Sequence, residues 1–439
     1  MTRVHDVIGI GIGPFNLGLA CLGEPLGLDA VFLDSADEFR WHHGMMIEGA
    51  TIQVPFLADL VTMADPTSRF SFLSFLKQTG RLYPFYIRED FFPLRVEYDA
   101  YCRWAAAQLA SLRWGRTVER VEHDPQSDDY VVHARSSATG EVETYRARHL
   151  VLGTGTAPRV PASLQGVDGP IIHTAEYLHR RDELIDKPAI TIVGSGQSAA
   201  EIYRDLLETI DQHEYQLDWI TRSPRFFPME YTKLTLEMTS PEYTDHFHGL
   251  PMELRDRLGR EQRGLYKGIS GELVDDIYDT LYRKSAARPV PTTLLTDTEL
   301  LGAEWHPDEE RYTLRLRHAQ LGEEHPRTTS ALILATGYAA RTPTFLDPVA
   351  DRIQWDGTGR FAVARDYSID GGRVFVQNGE EHTHGLTAPD LGFGAWRNSS
   401  ILASILGGEP YPIERRIAFQ EFGIPSGRPS HADAAAVAR

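Results

Sequence analysis

The feature that most constrains this chain is a pair of glycine-rich turns, each preceded by a short β-branched run and followed by a helical pattern. The first reads Asp6-Val-Ile-Gly9-Ile-Gly11-Ile-Gly13-Pro14-Phe15-Asn16. The second reads Ala189-Ile-Thr-Ile-Val-Gly194-Ser195-Gly196-Gln197-Ser198-Ala199-Ala200-Glu201. Strand, turn and helix in that order is the setting in which such glycines bind a dinucleotide. The first glycine permits the tight turn, and the second lets the backbone approach a pyrophosphate. The helix N-terminus adds free N–H groups and a partial positive charge. The third position lets helix and strand pack closely. Ala199 is a common variant there, whereas Asn16 is a departure. One such turn is compatible with an ordinary βα loop. Two in one chain point to an enzyme that holds two dinucleotides face to face, a flavin and a nicotinamide.

The strand that comes after each turn separates the two sites. After the first comes Asp29-Ala-Val-Phe-Leu33-Asp34, with Asp34 where an acidic residue grips ribose hydroxyls. After the second comes Gln216-Leu-Asp-Trp-Ile-Thr221-Arg222-Ser223. A carboxylate at that strand end would repel a 2′-phosphate, whereas a guanidinium pairs with one through two hydrogen bonds. The first site is therefore expected to hold FAD and the second to prefer NADPH over NADH.

The 439 residues are 42% hydrophobic and 24% charged, an ordinary globular composition with room for two domains. A formal net charge of −18 argues against nucleic acid and anionic membranes as partners. No apolar run is long enough to span a bilayer, and no secretory signal is visible, so the cytoplasm is the expected compartment. Cys21 and Cys102 form no CxxC pair and imply no disulfide framework.

Between 117 and 150 the pattern becomes two-periodic, a β-meander that ends in Leu150-Val-Leu-Gly153-Thr154-Gly155. The arrangement recurs at Tyr312-Thr-Leu-Arg-Leu316 and Ala331-Leu-Ile-Leu-Ala335, which lead to Thr336-Gly337-Tyr338. The expected fold is α/β, with two Rossmann-like domains, the second inserted in the first. Residues 1–175 and 331–425 form the FAD domain and 176–330 the NADPH domain. A helical segment at about 228–285 covers the active site, and 426–439 are a disordered tail.

A family resemblance rests on Gly11-Ile-Gly-Pro-Phe-Asn-Leu17, Phe39-Arg-Trp41-His42-His-Gly-Met45, Ile52-Gln53, Asp59-Leu-Val61 and Asp65-Pro-Thr-Ser68. Further residues that carry it are Gly194-Ser-Gly-Gln-Ser-Ala-Ala-Glu201, Ala335-Thr-Gly-Tyr338 and the linker Gly169-Pro-Ile-Ile-His173-Thr-Ala-Glu-Tyr177. The chain resembles the N-hydroxylating flavin monooxygenases, the lysine and ornithine N-monooxygenases of siderophore biosynthesis. The resemblance implies that NADPH reduces FAD, that the flavin takes up O₂ as a C4a-hydroperoxide, and that a neutral primary amine attacks the distal oxygen. The oxidant belongs to the cofactor, so no acid–base dyad is expected. The resemblance also implies that Trp41, His42 and Gln53 line the flavin, with Gln53 as the catalytic residue near the nicotinamide. It sets Thr336, Gly337, His384 and Leu386 against the cofactor as well. His382 and His384 look like metal ligands on one face of an extended segment, yet no third ligand is apparent, and no metal is expected.

A flavin disulfide reductase shares the two-dinucleotide plan but needs a cysteine pair near the flavin. A carbon-oxygenating monooxygenase is disfavoured by Val167 and by the Trp41-His42 region. Within the family, the segment Phe56-Leu57-Ala58-Asp59-Leu60 carries Ala58 where the resemblance implies a lysine for a substrate carboxylate. Asparagine anchors implied for the amino-acid head are also missing from Phe226-Phe-Pro-Met-Glu230-Tyr-Thr-Lys233 and Gly264-Leu265-Tyr-Lys-Gly268. Burying an unpartnered carboxylate costs several kcal/mol. The expected substrate is thus a diamine such as cadaverine or putrescine. The same branch is suggested by Phe226-Phe-Pro-Met-Glu-Tyr-Thr-Lys-Leu234 and Glu381-His-Thr-His-Gly385. Ala58, Glu230, Leu265 and Asp390 are the candidate substrate residues. L-lysine is the alternative, if Lys233 or Lys267 replaces the missing cation. The expected partners are the amine and O₂, with self-association left open.

Overall fold

The computed structural model describes residues 3–424, so the tail at 426–439 lies outside the described residues. Two parallel sheets organise the chain. The first runs Leu112–Arg113, Ala30–Leu33, Val4–Ile10, Val142–Leu152 and Val374–Val376 in spatial order. Val4–Ile10 is enclosed from Val7 onward, as a strand covered on both faces must be. The antiparallel pair Arg116–Asp124 and Asp129–Ser136 extends the first half of Val142–Leu152 and forms the meander.

The second sheet runs Thr292–Leu295, Gln216–Ile220, Ala189–Val193, Ala331–Leu334 and Ile171–His173, again all parallel. A separate antiparallel sheet of Thr298–His306, Arg311–His318 and Glu324–Thr329 precedes Ala331–Leu334. The same construction therefore occurs twice, one copy inside the other.

The domain limits shift from those the pattern suggests. Boundaries at 175/176 and 330/331 would strip two strands from the second sheet, because Ile171–His173 and Ala331–Leu334 pair with each other. The chain passes between the sheets at Thr156–Pro158 and Tyr338–Ala340, which pair antiparallel as a two-stranded ribbon. Ala331–Leu334 is buried at every position. A uniformly apolar strand fits either sheet by pattern alone.

The covering segment is also shorter than 228–285. Gly271–Ser285 is the crossover helix between the parallel strands Gln216–Ile220 and Thr292–Leu295, a connection that parallel pairing requires. Its Leu273, Val274, Ile277 and Leu281 pack into the second core beside Ala199, Ile202 and Tyr203. The cover proper comprises Lys233–Leu236, Pro241–His248, Met252–Glu261 and the turn Gln262–Leu265. Tyr243 and Phe247 of this cover cluster with Leu386 of the first domain. The C-terminal stretch straps it down. The backbone N–H groups of Phe419 and Gln420 donate to the Glu237 carboxylate, each at 3.0 Å. Those of Ile417 and Ala418 donate to Glu242 at 2.6 and 2.9 Å.

Candidate active site

The glycines of the first turn have different reasons to be there. A Cβ on Gly9 would lie 2.1 Å from the Phe32 ring, so glycine is needed there for the two strands to pack. Gly11 has φ +90 and a Cβ there would meet the Gly153 carbonyl oxygen at 2.3 Å. Gly13 is unlike both. Its backbone is extended, and a Cβ there would meet nothing within 4 Å. The protein itself has no use for a glycine at that position, whereas a pyrophosphate lying on the backbone does.

The helix that starts there, Pro14–Gly23, has no side-chain cap and no acidic residue in its first turn, so its positive end is left for an anion. Asp34 sits at the end of the adjacent strand. Its carboxylate accepts the N–H of Ile12 at 2.6 Å and of Ala36 at 2.8 Å, and each oxygen keeps a lone pair for a ribose hydroxyl. Nearby, Gln377 Oε1 and Asn398 Oδ1 are buried acceptors without a protein partner. Asn398 lines a small pocket with Pro14 and Phe15. These features fit FAD.

Asn16 explains its own departure from the motif. Its side chain is fully buried, and Nδ2 donates to Gly11 O (2.8 Å) and Val151 O (3.3 Å). Its Oδ1 accepts from Gln377 Nε2 at 2.8 Å. The side chain stitches three segments together under the turn and serves the protein rather than the cofactor.

The second turn repeats the logic. A Cβ on Gly194 would meet Ala335 O at 2.1 Å, whereas one on Gly196 has only Lys267 O at 3.6 Å as neighbour. The helix Gln197–Thr209 is likewise uncapped and lacks a first-turn acid. Ala199 is fully buried at its packing position, with Ser198 beside it on the first turn. Ser195 Oγ and Ser223 Oγ lie 3.1 Å apart, which ties the turn to the strand end that carries Arg222. Arg222 is exposed there. This arrangement fits NADPH.

Gln53, from the first domain, reaches into the second. Its Nε2 donates to Gln197 Oε1 at 3.2 Å and points toward Gly268 O at 3.5 Å. The Tyr231 hydroxyl lies within hydrogen-bonding reach of the same amide, and burial raises that phenol to about 12. Trp41 is anchored by its backbone N–H, which donates to Asp99 Oδ1 at 3.0 Å, and its ring packs 5.0 Å from His42 and from Tyr98. His42 keeps contact with solvent while protein groups crowd around its ring. That enclosure, with help from the Arg95 charge, pushes its imidazole down to about 4, so it is neutral at working pH. Its ring faces Tyr338 at 6.0 Å, on the ribbon between the domains. Thr336 donates its hydroxyl to Arg159 O, and Gly337 O accepts from His173 Nε2 at 3.1 Å, so both belong to the crossing between the sheets.

Other expected contacts are redirected. Glu381–His384 is one helical turn, not an extended segment. The His384 imidazole is fully buried, stacked on Tyr367 at 4.5 Å with His248 at 5.2 Å. Leu386 lies in the cluster under the cover, and Leu265 packs against the same cluster. These side chains hold the cover to the first domain. Among the described residues, no three His, Cys, Asp or Glu side chains gather as metal ligands. Cys21 and Cys102 are buried and free, and burial pushes both thiols well above the ordinary range, the reverse of what redox chemistry needs.

At the substrate end, Ala58 is buried against Gly392. A Cβ on Gly392 would lie 3.7 Å from the Ala58 methyl and 3.2 Å from Asp390 Oδ1. The Asp390 carboxylate accepts the Gly392 N–H at 2.7 Å, and burial raises its pKa. Glu230 is exposed just ahead of the cover, its N–H 3.4 Å from Gly264 O. Lys267 is engaged by Glu381 at 2.8 Å, and Tyr266 donates to the same carboxylate at 2.6 Å. Lys233 opens a short exposed helix.

Residues with no motif of their own complete the site. Arg95 pairs with Glu201 through two hydrogen bonds of 2.8 and 2.7 Å. Buried Arg397 pairs with Glu380 and lies 4.4 Å over the Phe15 ring. Glu201 falls inside the second motif, but nothing in the sequence pairs it with Arg95.

Two uncapped helix ends and two glycines with open space over their backbones define a flavoprotein oxidoreductase that brings a flavin and a nicotinamide together. Comparison narrows the class. The model of the L-lysine 6-monooxygenase/L-ornithine 5-monooxygenase family matches residues 3–340. The putrescine N-hydroxylase of Shewanella oneidensis is 50% identical over 421 residues, covering 95% of this chain and 84% of that protein. The FAD-bound cadaverine monooxygenase of the desferrioxamine pathway from Erwinia amylovora superposes with a TM-score of 0.95 at 51% identity, over 97% of this chain and 100% of that one. The Kutzneria ornithine N-hydroxylase, solved with reduced FAD, NADP⁺ and L-ornithine, gives 0.84 at 30% identity, over 92% and 99%. The chain belongs to this family of lysine and ornithine monooxygenases.

Proposed function

We propose that this protein N-hydroxylates one primary amine of an aliphatic diamine, of the cadaverine or putrescine kind, with FAD, NADPH and O₂, in hydroxamate siderophore biosynthesis. The observation that carries the substrate is the pairing of Ala58 with Asp390 around Gly392. A carboxylate-bearing substrate would meet a methyl group and an acid there. An ammonium group meets a carboxylate. Lys267 is no substitute cation, since Glu381 already holds it. The relatives above that act on putrescine and cadaverine agree with this reading.

Bound flavin, once reduced by NADPH, supplies the activated oxygen. The chain's own residues bind, orient and exclude water. Gly13, Asp34 and the Pro14–Gly23 helix end hold the FAD pyrophosphate and ribose. Gly196, the Gln197–Thr209 helix end and Arg222 hold NADPH. Gln53 presents an oriented amide between the two. Asp390 takes the distal ammonium, with Glu230 the second candidate. The reacting amine must be neutral to attack. From an ordinary pKa of about 10.4, deprotonation near pH 7.5 costs about 4 kcal/mol, which an apolar pocket reduces by disfavouring the charged form. No helix among the described residues is long and apolar enough to cross a membrane. The reading puts the enzyme in the cytoplasm, where reducing conditions suit two free cysteines.

The test is a panel of cadaverine, putrescine, L-lysine and L-ornithine, scored for hydroxylamine rather than for NADPH consumption. Both diamines are expected to exceed both amino acids in kcat/KM. A higher value for L-lysine overturns the assignment.

A further inference from the structure

One buried network crosses the domain interface and ends on Gln53. The Arg95 guanidinium, from the first domain, grips the Glu201 carboxylate of the helix Gln197–Thr209 in the second, and also donates to Met45 O at 2.8 Å. The two side chains are 11% and 5% exposed. Glu201 Oε1 also accepts from Gln197 Nε2 at 2.8 Å. That contact and the Ser270 N–H together set which way the Gln197 amide faces, because a carboxylate can only accept and a backbone N–H can only donate. Gln197 Oε1 must then point outward, where it accepts from Ser270 N at 2.9 Å and from Gln53 Nε2 at 3.2 Å. Each amide orientation dictates the next.

We infer that Glu201 is a positioning residue for the oxidation: held by Arg95, it fixes the amide of Gln197, which fixes the amide of Gln53 between flavin and nicotinamide. The inference rests on the placement of Gln53 between the two cofactors. The same carboxylate also joins the domains, so the geometry of the second turn is set by a residue of the first domain. Among the described residues, no other group with two acceptor oxygens and no proton touches the Gln197 amide. Glutamine at 201 has the same size but brings its own N–H₂ to the Gln197 amide, which leaves that amide held only on its oxygen side, by the Ser270 N–H and Gln53.

The experiment compares Glu201→Gln with Gln197→Leu, which breaks the relay and spares the Arg95 pair. The readouts are the change in the visible absorbance of bound FAD on adding NADP⁺, and the hydroxylamine formed per NADPH consumed. Both variants are expected to retain FAD, to reduce the NADP⁺-induced change, and to lower coupling by about tenfold, the scale of one lost hydrogen bond to a charged group. In the Gln53→Ala background, Glu201→Gln is expected to add little, because the relay has already lost its end. Should Glu201→Gln fail to fold, Gln197→Leu alone carries the same comparison. If either variant lowers only the melting temperature, with absorbance change and coupling intact, the pair is a simple domain tie and the inference fails. Additivity with Gln53→Ala overturns it equally. Altered hydroxylation of the diamine with the absorbance change preserved counts against the relay and leaves the substrate reading standing.

Discussion

The two dinucleotide turns share a pattern and differ in how they are fastened. The first is bolted into its own sheet. Asn16 is fully buried and ties the turn to Val151 of the neighbouring strand and to Gln377 beyond the next. The second is fastened within its own domain, through Trp219 to Gly194, Ser195 to Ser223 and Gln197 to Ser270, and also across the interface, through Gln197 to Gln53 and Glu201 to Arg95. A turn held by its own sheet keeps its shape whatever the other domain does. A turn held in part across an interface has a shape that depends in part on domain closure. The first arrangement suits a cofactor that stays, and the second suits one that arrives and leaves.

The sharpest way to break this contrast is a bulky residue at the ligand-facing glycines. Gly13→Val is expected to abolish FAD occupancy, read as the ratio of flavin to protein absorbance, while the apoprotein still folds, because nothing lies within 4 Å of the new Cβ. Gly196→Val is expected to keep FAD and lose NADPH-dependent flavin reduction. Loss of FAD in the second variant, or its retention in the first, removes the distinction.

Arg222→Ala sharpens the second site. The KM for NADPH is expected to rise by about 10- to 150-fold, the range of a lost charge-assisted pair, with little change for NADH. An equal rise for both cofactors means that Arg222 does not read the 2′-phosphate.

At the substrate end, Asp390→Asn is expected to raise the KM for cadaverine by about tenfold, a lost hydrogen bond to a charged group, with a smaller change in kcat. An unchanged KM moves the anchor to Glu230.

The smallest effect concerns acid stability. Burial holds His173, His248, His382 and His384 below their ordinary values, and His42 falls from 6.5 to about 4. The unfolded chain therefore binds more protons across this window, so stability rises with pH through it and is lost as pH falls from 6.5 toward 4. Melting temperatures measured between pH 7 and 4.5 are expected to show that slope, and His384→Gln to flatten it. An identical slope in the variant shows that His384 is not a contributor.

Legibility tracked the range of the interactions. Strand, turn and helix around Gly13 and Gly196 involve residues close in sequence, and each keeps a local pattern. The domain edges were hidden because Ala331–Leu334 and Ile171–His173 are apolar strands whose sheet is chosen by pairing. The helix Gly271–Ser285 shows the 3.6-residue apolar repeat of any half-buried helix, and the repeat does not say which layer receives it. His384 and Leu386 were expected at the flavin from their motif, yet their side chains turn into the packing beneath the cover.

What the sequence determined alone is the chemistry that depends on local backbone and residue type: two phosphate-binding turns, an acid after one and an arginine after the other, and no cation at Ala58. Tertiary structure decided what depends on side chains distant along the chain. It turned Asn16 into the protein, set Asp390 near Ala58, and closed the path from Arg95 through Glu201 and Gln197 to Gln53. A glycine's turn is a property of its neighbours in sequence. A hydrogen bond or ion pair between distant segments exists only once folding has brought donor and acceptor to the same few ångströms.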